Sequence, residues 1–307
     1  MPQPPVRHRT APGGTRLLAA AACVLGAEAL FATMGGAIRV AAGELDNAMI
    51  VFGRNLLGAL LLLAWLLARG GPERLRTAVP GLHLLRALFG TGAMYCFFYA
   101  IAHMPLAEAM LLKLTAPLFI PFIALAWLRE PLPPWILPSL AVGFAGVWLV
   151  LDPAGGDPDP VALVALAGGL LAAFAKVTVR RLSRHDPPSL IVFYFALGGL
   201  TLSLAPLPWY WHTPSPMAVA WLILVGLLAT AGQLLLSRGL SLAPAGRLAP
   251  FSFFSVVFGA LLGWTFWDEA LTAATLGGSL LILLSVLLAG RRTSAAARRP
   301  LPAESSP

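Results

Sequence analysis

Ten apolar stretches of roughly twenty residues follow one another along this chain, separated only by short polar breaks. A helix needs about 20 such residues to cross a hydrocarbon core about 30 Å thick. The stretches fall near 17–40, 47–68, 82–101, 105–128, 134–151, 160–181, 189–209, 217–237, 244–266 and 271–290. Hydrophobic residues make up 58% of the 307 and charged residues 11%, against roughly half and a quarter in an average soluble domain. No water-soluble fold of this length could hide so much apolar surface. The expected fold is therefore all-α and integral to the membrane, with ten transmembrane helices.

The net charge of +8 does not point to nucleic acid, because the arginines sit in short loops between apolar runs, where they set topology. Alternate loops carry Arg69, Arg74 and Arg76, then Arg129, then Arg180, Arg181 and Arg184, then Arg238, and the tail carries Arg291, Arg292, Arg298 and Arg299. The loops between them hold almost none; one, Asp152 to Pro160, is acidic and turn-rich. Both termini are thus expected in the cytoplasm of a bacterial cell, with the chain multi-pass in the inner membrane. Arg7, Arg9 and Arg16 before the first run suggest a signal peptide, but the run is too long for one and reads as the first span. Cys23 and Cys96 lie within apolar segments and behave as small hydrophobes.

Shifting the chain by about 139 residues places Pro105 on Pro244, Phe119 on Phe258, Glu130 on Glu269, Leu132 on Leu271 and Val147 on Val286 without a gap. Five helices separate the copies, so the second copy faces the opposite way across the membrane. Inverted repeats of this kind characterise many secondary transporters, whose substrate site lies near the midplane between the halves. The expected organisation is a cytoplasmic tail at 1–16, a first five-helix repeat at 17–151, a periplasmic linker at 152–159, a second five-helix repeat at 160–290 and a cytoplasmic tail at 291–307.

Charged residues in mid-membrane are the sharpest functional signal, since each costs roughly 2.5 to 3.5 kcal/mol on insertion scales. Glu28 lies near the centre of the first helix, placed to bind a proton or a cationic substrate group; the alternative is a helix–helix pair. Arg54 and Lys113 lie seven or eight residues inside their helices, at similar depth, and together could grip a carboxylate. The alternative is that they pair with Glu28 or Glu108. Pro117 and Pro121 in the fourth helix and Pro250 in the ninth should break matching helices, although harmless kinks are common in membranes. Among the neutral polar residues, Tyr95 and Gln233 are selected as substrate contacts. Arg86, Lys176 and Arg247 lie within a turn or two of the cytoplasmic face and are expected to snorkel. Glu130 and Glu269 are expected to fix loops, and the glycines at 143, 146, 277 and 278 to allow close helix packing.

The run Leu84-Leu85-Arg86-Ala87-Leu88-Phe89-Gly90 resembles the EamA branch of the drug/metabolite transporter superfamily, as do Cys96-Phe97-Phe98-Tyr99-Ala100, Met104-Pro105-Leu106-Ala107-Glu108-Ala109, Pro117-Leu118-Phe119 and Leu128-Arg129-Glu130-Pro131-Leu132. The resemblance returns at Leu242-Ala243-Pro244-Ala245 and Trp267-Asp268-Glu269. It implies ten helices in two inverted sets of five, and proton-linked or gradient-driven movement of metabolites, often outward. It also implies a role for Arg54, which recurs in the second helix, whereas Lys113 departs from the family's small or polar residue. Amino acids and their derivatives, purines, riboflavin and opine-type metallophores are among the family's cargoes.

The expectation is a secondary transporter, not an enzyme, that exports a small amino-acid-like or amino-acid-derived metabolite by alternating access. An importer of a nucleoside, riboflavin or similar compound is the alternative within the family. A membrane enzyme acting on a lipid-linked substrate is the alternative outside it, but His8, His83, His103, His185 and His212 are too scattered for a catalytic or metal centre. The expected partners are a small-molecule substrate, the lipid bilayer, protons as coupling ion and a second copy of the chain as a homodimer. No nucleic acid, metal or cofactor is expected.

Overall fold

The computed structural model describes residues 13–70, 75–129, 136–151, 159–242, 248 and 251–296, and among these there is no strand. The helices are α1 (Gly13–Ala41), α2 (Asn47–Gly70), α3 (Pro80–His103), α4 (Leu106–Lys113), α5 (Ala116–Ile123), α6 (Leu137–Leu151), α7 (Pro160–Leu182), α8 (Pro188–Leu204), the short α9 (Leu207–Tyr210), α10 (Pro216–Leu242), α11 (Phe254–Trp267) and α12 (Ala273–Ala296). Among the described residues, six stretches are long and apolar enough to cross a membrane: Leu17–Ala41, Asn47–Ala68, Pro80–His103, Leu106–Trp127, Pro160–Leu182 and Pro216–Leu236. Leu137–Leu151, Pro188–Leu204, Phe254–Trp267 and Ala273–Leu288 are shorter apolar helices. The molecule is thus an all-helical, multi-pass membrane protein.

Local sequence explains where the helices begin and end. Pro80, Pro160, Pro188 and Pro216 each open a helix, at a position whose N–H would have no partner within the helix. Asp159 caps α7 by accepting from the Val161 N–H at 2.9 Å, and the Ser215 hydroxyl accepts from the Ala218 N–H at 3.1 Å at the start of α10. Two helical segments stop on a left-handed non-glycine residue, Arg129 after the π-helical turn Ala124–Leu128 and Asp268 after α11.

The principal packing pairs are α1 with α10, α3 with α7, α6 with α12, α2 with α8, α1 with α11, α3 with α8, α2 with α10, α4 with α11, and α5 and α4 with α7. Small residues let several of these approach closely. A Cβ on Gly146 of α6 would lie 2.8 Å from the Gly278 carbonyl oxygen of α12, and the buried Ser285 hydroxyl donates to the Ser139 carbonyl across the same pair at 2.6 Å. Close packing through small residues and interhelical hydrogen bonds is what holds helices together in lipid. The apolar side chains left outside, such as Leu60, Trp148, Leu227 and Leu280, face a solvent as apolar as themselves, and Trp209, Tyr210 and Trp211 cluster exposed where α9 ends, as an interfacial aromatic belt does.

Candidate substrate site

The interruption between α4 and α5 creates the first element of the site. Pro117, in the opening turn of α5, has no N–H for the carbonyl of Lys113, and Pro121 inside α5 removes the next donor in the same row. The chain tightens instead into three-residue turns, Leu114 N–H to Leu111, Thr115 N–H to Leu112 and Leu118 N–H to Thr115. Lys113 becomes the last residue of α4, where a cation suits the negative end of the helix dipole. Gly169 of α7 packs directly on this break: a Cβ there would lie 3.2 Å from the Leu112 carbonyl oxygen. A corresponding turn interrupts the chain at Phe253, just before α11, which stands at the repeat shift from Leu114. Pro250 lies outside the described residues.

Glu28 of α1 lies between these two breaks. It is 5% exposed, in the electrostatic field of Lys113 and Lys176, and within side-chain hydrogen-bonding reach of Ser252 beside the second break. Its Oε2 is buried with no hydrogen-bond partner. The Lys113 ammonium stands 4.8 Å from the Phe31 ring centroid and 5.1 Å from that of Phe97, so two aromatic faces hold it by cation–π attraction. Lys176 of α7 is in the field of both Lys113 and Glu28, and it is exposed at the edge of the bundle.

Arg54 is brought not to Lys113 but to Arg86. Arg54, 8% exposed, donates to Asn55 Oδ1 at 2.8 Å and stacks 5.4 Å from the Phe195 centroid. The Arg86 guanidinium lies 3.8 Å from the same centroid, in the field of Arg54; it turns into the protein, where two of its nitrogens are buried. Asn55, fully buried, is fixed by donating to the Val51 carbonyl at 2.8 Å. Tyr95 is half-buried, its phenol oxygen has no hydrogen-bond partner, and its carbonyl accepts from Asn47 at 2.9 Å. Gln233 joins neither charged group: it lines an open, mostly apolar cavity of about 350 Å³ with Leu62, Val192 and Thr230. Arg86, Lys176, Phe195, Phe31 and Phe97 went unselected in the sequence, where nothing marks which aromatic ring will meet which cation.

The sequence pattern of the EamA-like transporter family matches residues 18–152 and again residues 160–291. The chain belongs to the EamA-like transporter family. It is a membrane transporter and not an enzyme. Within the family it is 33% identical to the pseudopaline exporter CntI of Pseudomonas aeruginosa over 264 residues, 85% of this chain and 92% of that one. It is 27% identical to a riboflavin transporter of Vibrio cholerae, over 74% of this chain and 76% of the relative. With an S-adenosylmethionine uptake transporter of Rickettsia conorii it shares 25% identity, over 80% and 83%. A crystal structure aligns with it at a TM-score of 0.61 and 22% identity, covering 91% of this chain and 99% of the other, which shows that the fold is shared.

In this EamA-like transporter the ends of the helices carry polar ties of their own. Arg39, in the last turn of α1, pairs with Glu269, donates to the Met104 carbonyl at 3.3 Å and stacks 5.1 Å from the Trp267 centroid. The second carboxylate oxygen of Glu269 accepts from the Leu106 N–H at 2.8 Å, so one acid joins three segments. At the far end of the bundle Arg181, in the last turn of α7, stacks 4.9 Å from Trp127 and donates to its carbonyl at 3.4 Å; Glu130 lies outside the described residues. Asp186, between α7 and α8, accepts from Thr77 at 2.6 Å and bonds His83 Nε2 at 2.8 Å. Burial pushes its carboxyl upward, but these two hydrogen bonds together with the nearby His83 and His185 hold the group below the ordinary aspartate range.

Proposed function

We propose that this transporter exports a small amino-acid-derived metabolite bearing amine and carboxylate groups across the bacterial inner membrane, by alternating access of two inverted five-helix halves, 17–151 and 160–290. The observation that carries the reading is Glu28 held between the interruptions of two matching helices, buried, with Lys113 and Lys176 in reach. Helix breaks at corresponding positions are where inverted-repeat transporters bind cargo.

Several features support two inverted halves. The family pattern matches the chain twice. If α4 with α5, and α8 with α9, each count as one span, exchanging first-half helices for second-half ones turns α1–α10 into α3–α7, α1–α11 into the contacts of α7 with α4 and α5, and α3–α8 into α2–α10. It turns α2–α8, α6–α12 and α4–α11 into themselves. The two left-handed residues, Arg129 and Asp268, obey the same shift.

In mechanism, Glu28 is the coupling group: it binds either a proton or the amine of the cargo, and Lys113 and Lys176 attract the carboxylate. With loop arginines on the cytoplasmic side, the Arg39–Glu269 tie lies at the periplasmic end and holds that end closed. The likeness to the pseudopaline exporter supports export, with opine-type metallophores in the proposed cargo class; the S-adenosylmethionine uptake relative supports import as the second reading, with riboflavin, named for another relative, among its cargoes. Proteoliposomes with an imposed proton gradient test both: gradient-dependent efflux of an amino-acid-derived compound, abolished by Glu28→Gln, is expected. Gradient-dependent riboflavin uptake would establish the second reading, and transport untouched by Glu28→Gln would remove Glu28 from the mechanism.

A further inference from the structure

The cations of the membrane interior outnumber the acids. Glu28 lies beside Lys113 and Lys176, while Arg54 and Arg86 form a second group with no ion pair to any acid among the described residues. The acid of α4, Glu108, is engaged elsewhere, accepting from Thr275 of α12 at 2.7 Å. Arg86 Nε and one terminal nitrogen are buried with no acceptor at all, and Arg54 has Asn55 Oδ1 as a neutral acceptor. Each guanidinium carries five donors and stays charged in proteins, and two buried like charges without a counter-ion are strongly unfavourable. The shared Phe195 ring offers a π face but accepts no conventional hydrogen bond.

The arrangement is built rather than accidental. Any side chain on Gly90 would collide with the Arg86 guanidinium and would lie 2.6 Å from the Phe195 ring. Gly199 of α8 leaves the room that Asn55 occupies, since a Cβ there would lie 2.8 Å from Asn55 Oδ1. Two glycines on two helices thus seat the side chains that turn both guanidinium groups onto one ring.

We infer that Arg54 and Arg86 form a second anion subsite, which takes a carboxylate of the cargo apart from the Glu28 cluster, so that the cargo is an amino compound with two or more carboxylates. This rests on the transport reading above. A planar carboxylate matches the fork of an arginine in a way that a spherical anion does not. Four cations and one acid leave a positive excess that a zwitterion with one carboxylate leaves unchanged and that an amino di- or tricarboxylate, itself net negative, reduces. Glu28 would meet the amine, Lys113 and Lys176 the nearer carboxylate, and the arginine pair the farther one.

The test is binding to the full-length protein in lipid nanodiscs, followed by tryptophan fluorescence. The probes are alanine, glutamate, an N-(carboxyalkyl) amino acid, inorganic phosphate and chloride. The wild type should bind the N-(carboxyalkyl) amino acid at least tenfold more tightly than alanine. Arg86→Gln should lower that ratio about tenfold, and Arg86→Lys, which keeps the charge but loses the fork, should lower it less. Gly90→Ala, which displaces the same guanidinium without deleting it, should act like Arg86→Gln and guards against a folding defect in the latter. An unchanged ratio in folded Arg86→Gln and Gly90→Ala overturns the subsite while leaving the transport reading intact. Phosphate or chloride binding lost in Arg86→Gln, with no preference among the amino acids, also overturns it and identifies an inorganic-anion site. Binding of no amino compound to the wild type, with efflux indifferent to Glu28→Gln, removes the transport reading itself.

Discussion

The two charged groups in the membrane interior are built on opposite plans. Around Glu28, charges of both signs meet beside interrupted helices. Around Arg54 and Arg86, charges of one sign meet on unbroken α2 and α3, packed on α8. Broken helices with freed carbonyls can rearrange as a site opens and closes, whereas continuous helices carry rigid recognition. The mixed group is suited to coupling and movement, and the single-sign group to selecting cargo.

The largest effect should come from Glu28→Gln, which leaves Lys113 and Lys176 without their acid. Losing one member of a buried charge pair costs about 2–5 kcal/mol, so gradient-driven efflux should fall at least about thirtyfold. Lys113→Met should fall less, because Lys176 remains; equal losses in both would show that the two lysines act as one unit. If Glu28→Gln and Arg54→Gln change the same kinetic constant by the same factor, the division between coupling and selection fails.

A smaller effect is expected at the Arg39–Glu269 tie. Glu269→Arg places two cations together, and Arg39→Glu with Glu269→Arg restores the pair in reverse. At 21% and 12% side-chain exposure the pair is worth about 1–2 kcal/mol, so the single reversal should change efflux roughly tenfold and the double reversal should recover most of it. A cysteine-accessibility profile of α1 separates an opened outer face from misfolding.

Two predictions concern the scaffold. Gly146→Val should cost about 1–3 kcal/mol through overpacking against Gly278, read as a lower melting temperature in detergent; no change would mean that α6 and α12 separate freely. The smallest effect is at Asp186. Its depressed folded pKa makes its stabilisation complete above the unfolded value of about 4 and lost as the pH falls through the lower folded value. Asp186→Asn should lower stability at pH 7 by about 1 kcal/mol and flatten the decline in melting temperature below pH 4.

Much of this was legible along the chain. Pro117 signalled the break that leaves Lys113 at a helix end, because the loss of a backbone donor is a local event. Glu28 stood out because a carboxylate in a long apolar run has few structural reasons to be there. Arg54 was legible as a buried cation, but its expected neighbour was Lys113 at similar depth, and the structure gives it Arg86 instead. Depth along a helix can be counted from sequence; the direction a side chain points around the bundle cannot. The same limit set Gln233 on a separate apolar cavity and brought Lys176 into the field of Glu28.

The sequence by itself determined that this chain crosses the membrane many times as helices, since apolar length and backbone hydrogen bonding within each span are local properties of a segment in lipid. Tertiary structure alone decided which cation meets the lone mid-membrane acid and which cations share Phe195. Those meetings depend on how each helix is rotated against its neighbours, and the rotation is set by close approaches at small residues such as Gly90, Gly169 and Gly199, which no single segment can specify.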